Sequence, residues 1–135
     1  MGTAKRFEEL RVWQAAREMT REIYTLTGQP TFSRDSNLRD QMRRAAVSAM
    51  SNIAEGFERA GNKELRQFLT LAKASSGELR SHLYVALDQK YVSKDKVQET
   101  MLSAETLSRS LGRFMQYLRE STITGTKYRS QVREP

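Results

Sequence analysis

Cysteine is absent from this 135-residue chain, and histidine occurs once, at His82. Without cysteine there is no disulfide, no thiolate nucleophile and no cysteine-ligated zinc. One histidine excludes a multi-histidine metal centre and leaves a Ser-His-Asp constellation a single residue to draw on. Only 2 prolines and 7 glycines interrupt the backbone, and β-branched residues are few, which favours helices over sheets. No apolar run approaches the roughly 18 residues that a spanning helix needs, and Met1 to Arg6 carry no apolar leader stretch. The expectation is a soluble cytoplasmic protein with no membrane partner. The length is that of one domain, so a cleft between two enzyme domains is not expected.

What the chain has in excess is positive charge. It carries 23 basic and 16 acidic residues, a net charge of +7, and 16 of the basic residues are arginines. Guanidinium forks match phosphate better than ammonium groups do, so an anionic partner is favoured.

Apolar residues recur at intervals of three and four, the helical period. Val12, Ala16, Met19, Ile23 and Leu26 make a first stripe beside Trp13, closed by Gly28 as a left-handed cap and by Pro30. Ser33 is placed to cap a second helix carrying Leu38, Met42, Ala45, Ala49, Ile53 and Phe57. After the break at Ala60-Gly61-Asn62, with Asn62 and Glu64 as start signals, a third stripe runs Leu65, Phe68, Leu69, Ala72, Ser76, Leu79, Leu83 and Ala86. Ser93 and Asp95 open a fourth helix with Val97, Met101, Ala104, Leu107, Leu111, Met115 and Leu118. The pattern predicts an all-α, up-down-up-down antiparallel four-helix bundle over residues 1–122. A basic disordered tail is expected over 123–135.

The second helix has more than one apolar face. On a helical wheel, Ala45, Ala46, Val47, Ala49, Met50, Ile53, Ala54 and Phe57 sweep an arc of roughly 200°, about twice what a surface helix needs. Two coverings satisfy this: a central position in a tight monomer, or a contact with another subunit through Val47, Met50 and Ala54. The opposite side is also ordered, since Gln41, Arg44, Ser48, Asn52 and Glu55 line one narrow stripe. A hydrogen-bonded polar seam is expected there, with Arg44 pairing a carboxylate such as Glu55 or Glu78. No base stands near Ser48 in sequence, so the seam does not read as an active site.

Arg43-Arg44-Ala45-Ala46-Val47-Ser48 and Ser51-Asn52-Ile53-Ala54-Glu55-Gly56-Phe57 resemble the signature of the bacterial four-helix-bundle proteins encoded in intervening sequences of 23S ribosomal RNA genes. Phe7-Glu8-Glu9-Leu10 with Trp13-Gln14 agrees on one side, and Phe68-Leu69, Ala72, Ser75, Glu78 and Leu83 on the other. The likeness spans residues 7 to 91. It departs at Ala74, where the family usually has glycine, and at Ser33, where proline is common. The resemblance implies a cytoplasmic bundle assembled as a ring-shaped homopentamer. It also implies similarity to the basic accessory proteins of diversity-generating retroelements, which bind nucleic acid and a reverse transcriptase; a nucleic-acid-processing protein is thus an implied partner. It brings no catalytic residues and no cofactor.

Arg66, Lys73 and Arg80 recur every seven residues and so share one side of the third helix. Residues 62–135 carry a net +5 against +2 for residues 1–61. Five copies would place about +35 on one particle, a field that holds polyanions by counterion release. The candidate RNA-binding set is Lys63, Arg66, Lys73, Arg80 and Arg129, taken as exposed side chains. Neither an aromatic RNA-recognition signature nor a Gly-rich phosphate loop accompanies it, so backbone and shape are the features it would read. The expected function is a non-enzymatic oligomer that binds structured RNA, ribosomal RNA included. A protein-interaction scaffold that does not touch nucleic acid is the alternative.

Overall fold

The computed structural model describes residues 3–121 and 132–135. Regular structure among them is entirely helical: a 3-10 turn at Phe7–Glu9, then α1 (Arg11–Thr27), the single turn α2 (Pro30–Ser33), α3 (Ser36–Glu58), α4 (Asn62–Asp88) and α5 (Lys94–Glu120). Connections of three to eight residues make successive long helices antiparallel. Helix α3 packs on α1 and α4, and α5 packs on α4 and α1, which closes a four-helix bundle.

The four apolar stripes form one core. All five stripe residues of α1 and all six of α3 are buried, and Phe57, Ile53, Met42, Leu65, Leu69 and Leu79 have no measurable exposure. Phe114 joins them on α5, whereas Met101 and Met115 pack against the core only half-buried. Helices α3 and α4 approach closely at Gly56: a Cβ there would lie 2.6 Å from Cβ of Phe68 and 3.2 Å from Cδ1 of Leu65. This explains the glycine of the Asn-Ile-Ala-Glu-Gly stretch, because any side chain would force the two backbones apart.

The turns differ from the sequence expectation at several points. Gly28 is right-handed, with φ −84° and ψ −7°, and Pro30 starts α2 instead of merely stopping α1. Asp35, not Ser33, caps α3: its carboxylate accepts from the Leu38 amide at 3.1 Å, while the Ser33 hydroxyl donates to the Pro30 carbonyl. Asp35 also accepts from the Tyr91 hydroxyl at 3.0 Å, which ties the α4–α5 turn to the start of α3. At the start of α4 the cap position is Gly61, and the Asn62 side chain is spent on the Leu118 carbonyl and on Arg66. Ser93 does cap α5, accepting from the Lys96 amide. Left-handed backbone falls on Ala60 and Lys90, with φ of 56° and 61°, each just after a helix end. At Lys90 the amides of Lys90 and Tyr91 satisfy the carbonyls of Leu87 and Ala86, which holds the residue in that conformation.

The last four residues are not a disordered tail. Val132 is buried, and its carbonyl accepts from the Ala4 amide at 2.8 Å. The Glu134 carboxylate accepts from the amides of Arg11 and Val12, the latter at 2.7 Å. Leu10 has no side chain able to cap α1, and the orphan amides with their helix dipole attract that carboxylate. Composition alone does not reveal such a docking point. Residues 122–131, and with them Arg129, lie outside the described residues.

Candidate nucleic-acid interface

Hydrogen bonds fix which face of α4 meets α5. The Ser76 hydroxyl donates to the Ala104 carbonyl at 2.9 Å and accepts from Ser108 at 3.1 Å, and Asn62 Nδ2 donates to the Leu118 carbonyl at 3.1 Å. At 100° per residue Arg66, Lys73 and Arg80 fall within about 40° of each other, beside Asn62 and Ser76. The cations therefore follow the α4–α5 seam and do not stand on an open ridge.

Their burial departs from the expectation of exposed charges. Lys73 is exposed, but Arg66 and Arg80 are half-buried. Arg66 Nε donates to the Asn62 side-chain oxygen at 3.1 Å. Arg80 Nε is buried with no hydrogen-bond partner. A buried donor left without an acceptor costs about 1–3 kcal/mol, and an acceptor from outside can reach only the terminal nitrogens of the same half-buried guanidinium. Two glycines border the cations: a Cβ at Gly77 would meet Arg80 Nη2 at 3.8 Å, and one at Gly112 would meet Lys73 Cε at 3.7 Å, both ordinary contact distances. Among the described residues, ion pairs engage Arg6, Arg11, Arg21, Arg39, Arg59, His82 and Lys96, and none engages Arg66, Lys73 or Arg80. Lys63 is exposed but sits further round α4, turned away from the seam. Sequence reasoning missed Tyr84, which is 58% exposed one turn beyond Arg80 on the same face. Its signal was the continuation of the stripe by four residues.

The polar stripe of α3 divides. Ser48 accepts from the Ser75 hydroxyl of α4 at 3.0 Å, and Asn52 Nδ2 donates to the Ser48 carbonyl at 2.8 Å and to its hydroxyl at 3.0 Å. Gln41 donates to Asn37. Arg44 does not pair Glu55 or Glu78 as expected. Glu55 pairs Arg59 at 3.2 Å, and Glu78 meets His82 Nε2 at 3.2 Å, each one turn away along its own helix. Arg44 stays exposed, and its charge helps to hold the Asp40 carboxyl below its ordinary range, behind the larger effect of the Arg39 hydrogen bond.

Most of the wide apolar arc of α3 is covered within one chain, since Ala45, Ala46, Ala49, Ile53 and Phe57 are all buried. What remains is Val47, 40% exposed, with Met50 and Ala54 half-buried beside it. Tyr24 of α1, 44% exposed, borders Val47, and the Arg43 guanidinium lies 4.5 Å over its ring.

A groove of about 980 Å³ lies elsewhere, between α1 and α5, with Glu18, Glu22 and Glu99 facing Arg21 and Lys96. Burial pushes the Glu22 carboxyl above its ordinary range, partly offset by the Ser103 hydroxyl that donates to it at 3.1 Å; Glu18 and Glu99 push in the same direction as burial. No cluster of three metal-ligating side chains occurs among the described residues, and no described helix is long and apolar enough to cross a membrane.

The family model described as 23S rRNA-intervening sequence protein matches residues 8–113, which takes in α1 through α4 and most of α5. No curated protein matches the chain.

Proposed function

Because the chain belongs to the 23S rRNA-intervening sequence protein family, we propose that it is a non-enzymatic, cytoplasmic RNA-binding oligomer. The observation that carries this reading is the α4–α5 seam, where three cations lack carboxylate partners and one guanidinium nitrogen is buried without an acceptor. Phosphate oxygens are met by the reachable ends of these unpaired cations, and the net charge of +7 draws a polyanion to them. Structured RNA, ribosomal RNA included, is the ligand class.

The exposed remainder of the α3 arc, Val47, Met50 and Ala54, is the subunit contact of a ring-shaped homopentamer in this reading. An apolar patch with the Arg43 guanidinium over the Tyr24 ring at its border suits a protein interface. Repeating the cationic seam around a ring multiplies its field.

Two measurements test the proposal. Replacing Arg66, Lys73 and Arg80 together by Gln is expected to weaken RNA binding and to lower the salt slope by two to three charges' worth, about 0.7–0.9 each. Unaltered affinity and slope would leave the scaffold alternative standing. For assembly, Met50→Glu or Ala54→Glu should dissociate the oligomer and keep each bundle helical. A monomeric wild type by light scattering at micromolar concentration refutes the subunit contact.

A further inference from the structure

We propose that the α4–α5 seam holds an unpaired nucleotide, its phosphate at Arg80 and Lys73 and its base stacked on Tyr84. This rests on the RNA-binding reading above and narrows it to single-stranded segments of the RNA.

Three observations meet at this place. Arg80 presents a guanidinium whose Nε has no acceptor, although the side chain as a whole is only half-buried and so remains reachable. Arg80 Nη2 lies 3.8 Å from where a Cβ on Gly77 would stand and Lys73 Cε 3.7 Å from where one on Gly112 of α5 would stand, which places both cations along the seam. Four residues past Arg80, about 6 Å along the axis, Tyr84 stands 58% exposed, with neither an aromatic ring nor a cation packed on it among the described residues. An aromatic ring of this size in water has a face to offer, and every base has a π-face to meet it.

The pairing of a phosphate anchor with a stacking ring distinguishes strand from duplex. In a paired A-form helix the bases are already stacked on each other, and a side chain on a convex helical surface reaches only phosphates and 2′-hydroxyls. A ring beside the anchor adds nothing there. In a loop or bulge the base is free to leave the stack and lie on Tyr84. Asp88, one turn further along α4, bounds the site with a negative charge and sets the cation run to end at Tyr84.

The test uses the full chain with two probes, a uridine oligonucleotide carrying one 2-aminopurine and a fully paired RNA duplex of equal length. Wild type is expected to bind the single strand more tightly and to change the 2-aminopurine fluorescence on binding. Tyr84→Ala should lower affinity for the single strand about tenfold with the salt slope unchanged, and should leave duplex binding where it was. Tyr84→Phe keeps the ring and should bind as wild type, while Arg80→Gln should lower the single-strand salt slope by about 0.7. Circular dichroism of each variant checks that the bundle is intact. If Tyr84→Ala binds both probes as wild type does, the stacking site is refuted while the RNA-binding reading survives. If wild type binds neither probe, both fail together.

Discussion

Replacing Gly56 by alanine opposes two effects whose sizes the geometry sets. Alanine in a helix interior is more favourable than glycine by about 1 kcal/mol. Yet its Cβ would lie 2.6 Å from Cβ of Phe68, where carbon atoms in contact sit about 3.5–4.0 Å apart. Phe68 cannot rotate its own Cβ away, so α3 and α4 must part and loosen Phe57, Leu65 and Leu69 around them. Overpacking of this kind costs about 3 kcal/mol at the upper end of its usual range. The net effect is a loss of about 2 kcal/mol, or a melting temperature lower by about 8 °C for a domain of this size. Gly77→Ala and Gly112→Ala supply the comparison, because their new Cβ atoms meet only flexible side-chain ends at 3.8 and 3.7 Å. Each should raise stability by about 0.5–1 kcal/mol. Thermal unfolding followed by circular dichroism reads all three. A Gly56→Ala protein that melts higher than wild type, in step with the other two, would show that close helix approach is not what requires glycine there.

Asp35→Ala removes the cap of α3 and should cost about 1–2 kcal/mol, measured by denaturant unfolding. The Tyr91 ionisation lies above its ordinary value chiefly because the hydroxyl donates to Asp35, so that bond is made below the usual phenol range and lost as pH rises through the raised value. Asp35→Asn should accordingly bring the Tyr91 phenolate absorbance in at lower pH, and an unmoved titration would deny the bond. Glu22 is also raised, here by burial, so its contribution to stability is present below the ordinary carboxyl range and lost as pH climbs past it. Glu22→Gln should therefore melt higher than wild type at pH 7, with the difference closing at about pH 3; a pH-independent difference rules out titration as its origin.

The signature that identifies the family is mostly about packing. Ile53 and Phe57 fill the core, Gly56 admits α4, and Asn52 folds back on Ser48. These residues were legible in the sequence as a pattern, but the reasons for Ile53, Gly56 and Phe57 were not, since each depends on a partner from another helix; Asn52 bonds within α3 itself. The candidate site was half legible. The seven-residue spacing put Arg66, Lys73 and Arg80 on one side; it did not reveal that this side faces α5, that two of the three are half-buried, or that Tyr84 extends them.

Local signals settled what depends on near neighbours in the chain. The helical period, the breaker clusters and the Ser93 cap determined four long antiparallel helices and their buried stripes, because a helix satisfies its own backbone and needs only one apolar side to be covered. Contacts between residues distant in sequence were decided by tertiary structure alone. Asp35 meets Tyr91, Glu134 caps α1, Asn62 reaches Leu118, and the Arg80 nitrogen is left without an acceptor. Each depends on where two helix ends or two helix faces come to rest against each other, and side-chain packing over the whole core sets that position.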